Sequence, residues 1–337
     1  MKGTSRGWAN IAILLIVAGL SHGTDSPRPL EISSVVPTDL LAPALVLPAK
    51  CDLDGNVYVR VYQMEERKAT VYRISRDGKV VAPFSLESMT ELTRVHDFAP
   101  GIRGEVYVLA SKGGDEAYVV RFDTDGKHED TVKLEVPLQP SQIAVFASGD
   151  LLVAGREPAS AELGSAARAR PFLGIFTSRG QLVKRLSLRN DVKLESTKDK
   201  ASAKRTYLEA VVGSVVEPGD DGKLYLMRRT ATGPVYAISS SGVVEKAVIP
   251  ASPRGARLTI IKVAKGRLAA QFVRDTSDDS AEVVIRITDL QSGKNIGEYT
   301  HSNYQIGSAL ACYSPDSFVF LAPGEDYKLT VVTAEGK

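Results

Sequence analysis

The sequence predicts an all-β fold, a six-bladed β-propeller whose ring is closed by an N-terminal strand that completes the last blade. A unit of an apolar strand, a Gly or Asp turn and a strand of the Val-Tyr-Val type recurs six times along the chain. Repeats of about 40–50 residues are typical of propeller blades. The sixth repeat stops before its fourth strand, and the apolar segment 30–36 can supply that strand. Closure of this kind removes the open sheet edges that favour aggregation.

The second strand of each repeat follows a turn residue and then alternates apolar side chains. These strands begin at Gly55, Gly104, Gly149, Gly222, Gly266 and Asp316. Their spacings of 49, 45, 73, 44 and 50 residues suit four-stranded blades in every case but the long third one, which must contain an insertion. Third strands such as 71–78 and 118–126 end in Asp-Gly, which favours hairpin turns.

The unit 140–183, which reads PSQIAVFASGDLLVAG…FLGIFTSRGQLV, resembles an NHL-type repeat of six-bladed propellers. The resemblance extends over nearly the whole of the chain after its leader. It implies a propeller fold, but it does not imply an activity, because propellers carry out unrelated functions.

The first 23 residues have the three-part layout of a secretory signal peptide. Lys2 and Arg6 precede an apolar run at 8–20, and the small residues Ser21 and Gly23 follow it, three positions and one position before the expected cleavage. The run is too short to span a bilayer comfortably, although an uncleaved N-terminal anchor is the alternative interpretation. We therefore expect a secreted or periplasmic protein in which residues 24–337 form a single propeller domain.

The composition limits the classes of partner. Lys and Arg total 42 and Asp and Glu total 40, so the chain lacks the basic excess of a nucleic-acid binder. No later segment is apolar and long enough to predict a membrane span. The expected partner is a small anionic ligand, a glycan or a protein.

The two cysteines lie at matching places in the first and last repeats. Cys51 precedes the turn residue Gly55 by four positions, and Cys312 precedes Asp316 by four. In a closed ring these repeats are neighbours, so the cysteines should face each other. An oxidising compartment permits a disulfide, and two buried free thiols are the alternative.

Basic residues concentrate where one face of the propeller is predicted. Connections between second and third strands and between blades share a face, and the insertions 157–170 and 190–208 both belong to it. Candidate ligand-binding residues on this rim are Arg156, Arg168, Arg170, Arg228, Arg229, Arg274 and His96. Arg suits carboxylate, sulfate or phosphate groups, although a solvated edge and ordinary surface loops would give the same pattern.

Motifs for known chemistry are absent from the sequence. The histidines have no metal-like spacing, and no phosphate loop or nucleophile elbow occurs. No metal or cofactor is therefore predicted, and no catalytic residue can be chosen. The leading hypothesis is a ligand- or protein-binding module. The alternatives are a propeller hydrolase or lyase acting on a sugar or lactone, and a structural subunit of a cell-envelope complex.

Overall fold

The structure is a computed structural model. It describes residues 27–42, 45–63, 68–113, 115–158, 170–188, 213–228, 233–275, 281–302, 306, 309–315 and 317–336. The predicted signal peptide and nearly all of the two predicted insertions lie outside these residues. Among the described residues, no helix has the length and apolar character needed to cross a membrane.

Four sheets each consist of four antiparallel strands that follow one another along the chain. The first sheet contains β2 (Leu45–Cys51), β3 (Val57–Gln63), β4 (Lys68–Ile74) and β5 (Val80–Phe84); the second contains β6 (Arg94–Pro100), β7 (Val106–Gly113), β8 (Glu116–Phe122) and β9 (His128–Lys133). The third sheet contains β10 (Gln139–Val145), β11 (Leu151–Glu157), β12 (Arg170–Phe176) and β13 (Leu182–Arg185); the fourth contains β14 (Val215–Pro218), β15 (Leu224–Met227), β16 (Val235–Ile238) and β17 (Val244–Val248).

A fifth sheet has eight strands and joins the two ends of the chain. Its strands are β18 (Arg257–Ala264), β19 (Arg267–Asp275), β20 (Ala281–Asp289), β21 (Asn295–Ser302), β1 (Arg28–Leu41), β24 (Lys328–Gly336), β23 (Ser317–Pro323) and β22 (Ala309–Ser314). A 3-10 turn, Glu325–Tyr327, precedes β24. The described residues thus form five sheets in place of the six separate sheets that the sequence predicts.

The merger of the last two groups of strands has a local cause. Strand β1 pairs antiparallel with β24 along most of its length, with Leu30 opposite Gly336 and Thr330 opposite Pro37. Its first two residues, Arg28 and Pro29, pair in parallel with Tyr299 and Thr300 of β21. Because β1 extends further than the segment 30–36 predicted from the sequence, it reaches both neighbours and joins them.

The first strands of the groups form a ring. Strand β2 contacts β6, and contacts then run from β6 to β10, β14, β18 and β22, and from β22 back to β2. This cyclic order, with the sheets arranged around it, is a β-propeller arrangement. Connections between second and third strands, and between groups, lie on one face, here called the loop face. The first-to-second and third-to-fourth turns lie on the opposite hairpin face.

The core consists of apolar clusters between neighbouring groups of strands. Side chains alternate along a strand, so Val106 and Val108 of β7 pack toward the first sheet, whereas Tyr107 and Leu109 pack toward the third. Burial of each such aliphatic side chain contributes roughly 1.5–3 kcal/mol. Each sheet therefore packs against a neighbouring group of strands on both of its faces.

Ring closure has a covalent component. Cys51 at the end of β2 and Cys312 in β22 form a disulfide, with Cα atoms 5.4 Å apart and 261 positions between them in the sequence. It joins the inner strand of the first sheet to the inner strand of the closing group.

Third-to-fourth turns rest on the outer strand of the preceding group. A Cβ added at Gly126 would lie 2.3 Å from the Pro83 carbonyl oxygen of β5, and one at Gly180 would lie 2.3 Å from the Lys133 carbonyl oxygen of β9. A Cβ added at Gly78 would lie 2.5 Å from a side-chain carbon of Val36 in β1 and 3.2 Å from the Pro37 carbonyl oxygen. The first sheet therefore packs against β1 as the second packs against β5.

We expect Gly126→Ala to destabilise the protein more than Gly149→Ala does. Both glycines have positive φ, +83° and +85°, but no heavy atom lies within 4 Å of a Cβ placed on Gly149. The Gly149 change should cost about 1–2 kcal/mol for backbone strain alone, and the Gly126 change about 1–3 kcal/mol more. Urea unfolding of both variants measures the difference, and equal midpoints would contradict the docking of this turn.

Candidate functional site

The described members of the predicted basic rim have different environments. Arg228 is fully buried at 1% exposure, and Arg274 forms an ion pair with Glu282 at 3.0 Å. Arg156 and Arg170 are exposed at the facing ends of β11 and β12 on the loop face. Arg168 and Arg229 lie outside the described residues. The rim is thus partly neutralised and partly buried, with exposed cations on the third sheet.

Charged residues that the sequence analysis missed lie between the inner strands. Lys50 of β2 donates to Asp97 Oδ2 of β6 at 2.9 Å, to the Ile143 carbonyl of β10 at 3.1 Å and to the Phe98 carbonyl. Asp97 Oδ2 also accepts the Ile143 backbone N–H at 3.0 Å. One buried ion pair thereby connects three neighbouring inner strands.

A second ion pair lies across the ring from these strands. Lys262 Nζ of β18 donates to Glu217 Oε1 of β14 at 2.8 Å and to the Ala49 carbonyl of β2 at 2.8 Å. The side chains of this pair and of the Lys50–Asp97 pair are at most 6% exposed. Together the two lysines bridge β2, β6, β10, β14 and β18, and the disulfide adds β22.

Burial determines the electrostatics of the second pair. It raises the pKa of Glu217 above its ordinary value, and the nearby Lys262 ammonium opposes that rise. Burial likewise lowers the pKa of Lys262, and Glu217 opposes that shift. Each charge is therefore tolerated because of its partner.

Three of these four buried charged residues could have been recognised from the sequence. Lys50, Glu217 and Lys262 each interrupt an apolar first strand a few residues before its turn, in LPAKC, VVEP and IIKVA. A charged residue inside a predicted buried strand indicates a buried pair or a site. The partner could not be chosen, because it lies on another repeat.

His96 lies near the loop face at the start of β6. Its Nε2 atom is 2.8 Å from the Ser111 hydroxyl of β7. Arg60 of β3, which is 9% exposed, donates through Nη1 to the carbonyls of Val95 and His96. Burial, followed by the positive charges of Arg94 and Arg60, lowers the pKa of His96 to about 4, against the attraction of Asp97. The surroundings of His96 thus have a positive potential.

A cavity opens beside this start of β6, between the first and second sheets. Its volume is about 420 Å³, and its lining residues are Tyr62, Ala69, Leu86, Leu92, Thr93, Arg94 and Val95. Arg94 is exposed, and no carboxylate in the described part of the chain forms an ion pair with it. The nearby carboxylate of Glu91 is hydrogen bonded by Lys112. The cavity therefore combines apolar side chains with polar surface, and the Arg94 guanidinium is available on it.

The wall of the cavity is ordered by backbone hydrogen bonds. In the connection from β5 to β6, the Met89 N–H donates to the Leu86 carbonyl at 2.9 Å, and the Leu92 N–H donates to the Met89 carbonyl at 3.0 Å. The Thr93 N–H donates to the Ser111 carbonyl at 3.0 Å. Alternate residues of β3 share a face, so Arg60 lies on the same face as Tyr62. Behind the cavity wall, Arg60 donates a hydrogen bond to the Val95 carbonyl.

Within the described ranges, no group of three or more His, Cys, Asp and Glu side chains is placed to hold a metal ion. The interstrand ion pairs and the Arg94 cavity are therefore candidate sites of another kind.

Comparison with known proteins shows no family for this chain. No protein-family model matches the chain, and no curated protein matches it in sequence. Similar solved structures include a streptogramin B lyase (12% identity, TM-score 0.45, 90% of this chain and 97% of that chain). A PQQ-bound aldose sugar dehydrogenase from Streptomyces coelicolor has 14% identity and a TM-score of 0.47, over 91% of this chain and all of the other.

The β-propeller domain of the trilobed protease from Pyrococcus furiosus is also similar, with 10% identity and a TM-score of 0.47 over 86% of this chain and 81% of that chain. At these identities and TM-scores, the similarities assign neither a family nor an activity to this chain.

The Lys262–Glu217 pair yields a double-mutant prediction. Lys262→Met should destabilise the protein by about 3–5 kcal/mol, because it leaves a buried carboxylate without its cation. Adding Glu217→Gln should recover part of that loss. Urea unfolding at neutral pH measures both, and a double variant no more stable than the single one would contradict a paired charge.

The low pKa of His96 predicts a loss of stability in acid. The unfolded side chain titrates near 6.5 and the folded one near 4, so the unfolded state binds more protons between these values. Stability contributed by neutral His96 is present above about pH 6.5 and declines as the pH falls toward 4. After allowance for its partial exposure, we expect the loss to be about 1–3 kcal/mol.

Unfolding free energies at pH 7 and pH 4.5 test this for the native protein, His96→Gln and the exposed control His128→Gln. The pH-dependent loss should shrink in His96→Gln and persist in His128→Gln. The same loss in all three proteins would show that other groups cause it.

Proposed function

We propose that the chain is an exported six-bladed β-propeller that binds a small anionic ligand at the Arg94 cavity on its loop face. The blade count treats the eight-stranded sheet as two blades joined at Arg28 and Pro29. Its support is the cyclic order of six inner strands, together with the way Gly78 packs on β1. The export signal is the one predicted from residues 1–23.

The observation that carries the binding proposal is the position of Arg94. This exposed guanidinium lies on a cavity of about 420 Å³ and has no carboxylate partner among the residues that the structure describes. A guanidinium of this kind can bind a carboxylate, sulfate or phosphate through two parallel hydrogen bonds. Pockets of about 300–1,000 Å³ are of the size that binds small molecules.

The surroundings of Arg94 favour negative charge in the ligand. Arg60 is buried behind the cavity, and its positive charge together with that of Arg94 already disfavours protonation of His96. Among the described residues nearby, the Asp97 carboxylate is held by Lys50 and by the Ile143 N–H, and the Glu91 carboxylate is paired with Lys112. An incoming anion would therefore meet two guanidinium charges, and both of these carboxylates are already paired.

The exposed arginines of the third sheet extend the positive surface. Arg156 and Arg170 belong to the same face as Arg94, because second-to-third connections and connections between sheets share it. Such charges attract anions from solution and increase their rate of encounter. In this proposal they steer the ligand, and Arg94 binds it.

The decisive experiment measures anion binding by the native protein and by two matched variants. The probes are an array of acidic glycans and carboxylate-terminated peptides, together with inorganic phosphate, at low and high salt. Binding should weaken at high salt, and Arg94→Gln should reduce the affinity at least about tenfold, which is the loss of one charge-assisted hydrogen-bonded pair.

Arg179→Gln is the control, because Arg179 is an exposed arginine in the β12–β13 turn on the hairpin face and its loss should leave binding unchanged. An affinity that is indifferent to Arg94, or equal losses in both variants, would refute the proposed site.

A further inference from the structure

The walls of the Arg94 cavity indicate the chemical class of its ligand. Of the described lining residues, Ala69, Leu86, Leu92 and Val95 are aliphatic and Tyr62 is aromatic, and the polar groups are the hydroxyls of Tyr62 and Thr93 and the guanidinium of Arg94. Leu86 and Leu92 are 3% and 6% exposed, because they are packed in the apolar cluster between the first and second sheets. The space therefore suits an apolar group, with the charge of the ligand at one end.

The charge of the lining sets a limit on the charge of the ligand. Arg94 is the single cation among the lining residues that the structure describes, and Arg60 behind them donates to two backbone carbonyls. A polyanionic glycan requires several cations spread along its length, because each buried anionic group needs a partner. One guanidinium, with the hydroxyls of Thr93 and Tyr62, matches a single carboxylate.

Resting on the proposed function, we infer that the ligand is a monocarboxylate with an apolar body. The carboxylate pairs with Arg94 and accepts a hydrogen bond from Thr93, and an acyl chain or aromatic ring lies against Tyr62, Leu86 and Leu92. Water leaves the apolar walls on binding, and each buried methylene contributes about 0.8 kcal/mol, or close to a fourfold gain in affinity. A free acyl or aryl acid and the C-terminus of a peptide ending in an apolar residue share this chemistry.

A ligand series tests the inference at constant charge. Acetate, butyrate, hexanoate and 4-phenylbutyrate are titrated against the native protein by NMR or calorimetry, with hexanamide as the neutral match and inorganic phosphate as the anion without an apolar body. Affinity should rise about three- to fourfold per added methylene, and hexanamide should bind far more weakly than hexanoate.

Two further arms locate the effect and identify the source of the carboxylate. Ala69→Phe introduces a ring into the cavity, so it should abolish the dependence on chain length and leave the weak, Arg94-dependent binding of acetate. Tripeptides ending in Leu, as the free acid and as the amide, are compared with hexanoate to separate a peptide C-terminus from a free acid.

The outcomes separate the inference from the proposed function. If anions bind through Arg94 but hexanoate binds no more tightly than acetate, or an acidic glycan binds more tightly than any carboxylate in the series, the inference fails and the anion site stands. If no anion binds in an Arg94-dependent way, both fail. Chain-length dependence that persists in a folded Ala69→Phe protein would place the apolar contact elsewhere and overturn the inference.

Discussion

Closure of the ring is the constraint on which the rest of the structure depends. Strand β1 completes the sheet of β22, β23 and β24, and the disulfide between Cys51 and Cys312 joins the first inner strand to the last. Without these links, β2 and β22 would be exposed ends. The inner strands are thereby held in a closed ring. The positions of the loop-face residues depend on that ring, because the loops connect its strands.

The interior of the circle is polar where the sheets themselves are apolar. The six inner strands surround the centre of the ring. The long side chains of Lys50 and Lys262 extend from their own strands to carboxylates and carbonyls on other inner strands. Buried ion pairs are weak sources of stability but can help to specify a unique arrangement. Here each lysine can satisfy its hydrogen bonds only when several particular strands meet.

The same rigidity supports the candidate site. The cavity lies between two sheets, and the first residues of the inner strand β6 form part of its rim. Arg60, from the neighbouring sheet, donates a hydrogen bond to the backbone of that strand. The β5–β6 connection, which supplies Leu86, Leu92 and Thr93 to the wall, is already held by backbone hydrogen bonds, and this lowers the cost of ordering it when a ligand binds.

Much of this architecture was accessible from sequence, and the reasons for the failures are physical. The spacing of the turn glycines predicted the order of the strands, since turn geometry is local, and the equivalent offsets of the two cysteines placed them together. The merger of two groups into one sheet was missed, because it depends on two residues, Arg28 and Pro29, finding a distant partner in β21. Arg228 and Arg274 were assigned to an open rim, but burial and pairing with Glu282 depend on contacts that local patterns do not contain. The Arg94 cavity was missed for the same reason, since its walls come from two repeats.

The pairing of β1 with β24 also has a consequence for the timing of assembly. Residues 28–41 are made early, yet their partners at 328–336 are made almost three hundred residues later. Until then the early segment has backbone N–H and C=O groups with no sheet to join, and it is exposed to pairing with other chains. Contacts so distant along the chain form slowly, so the ring cannot close until both partners of this pairing are present.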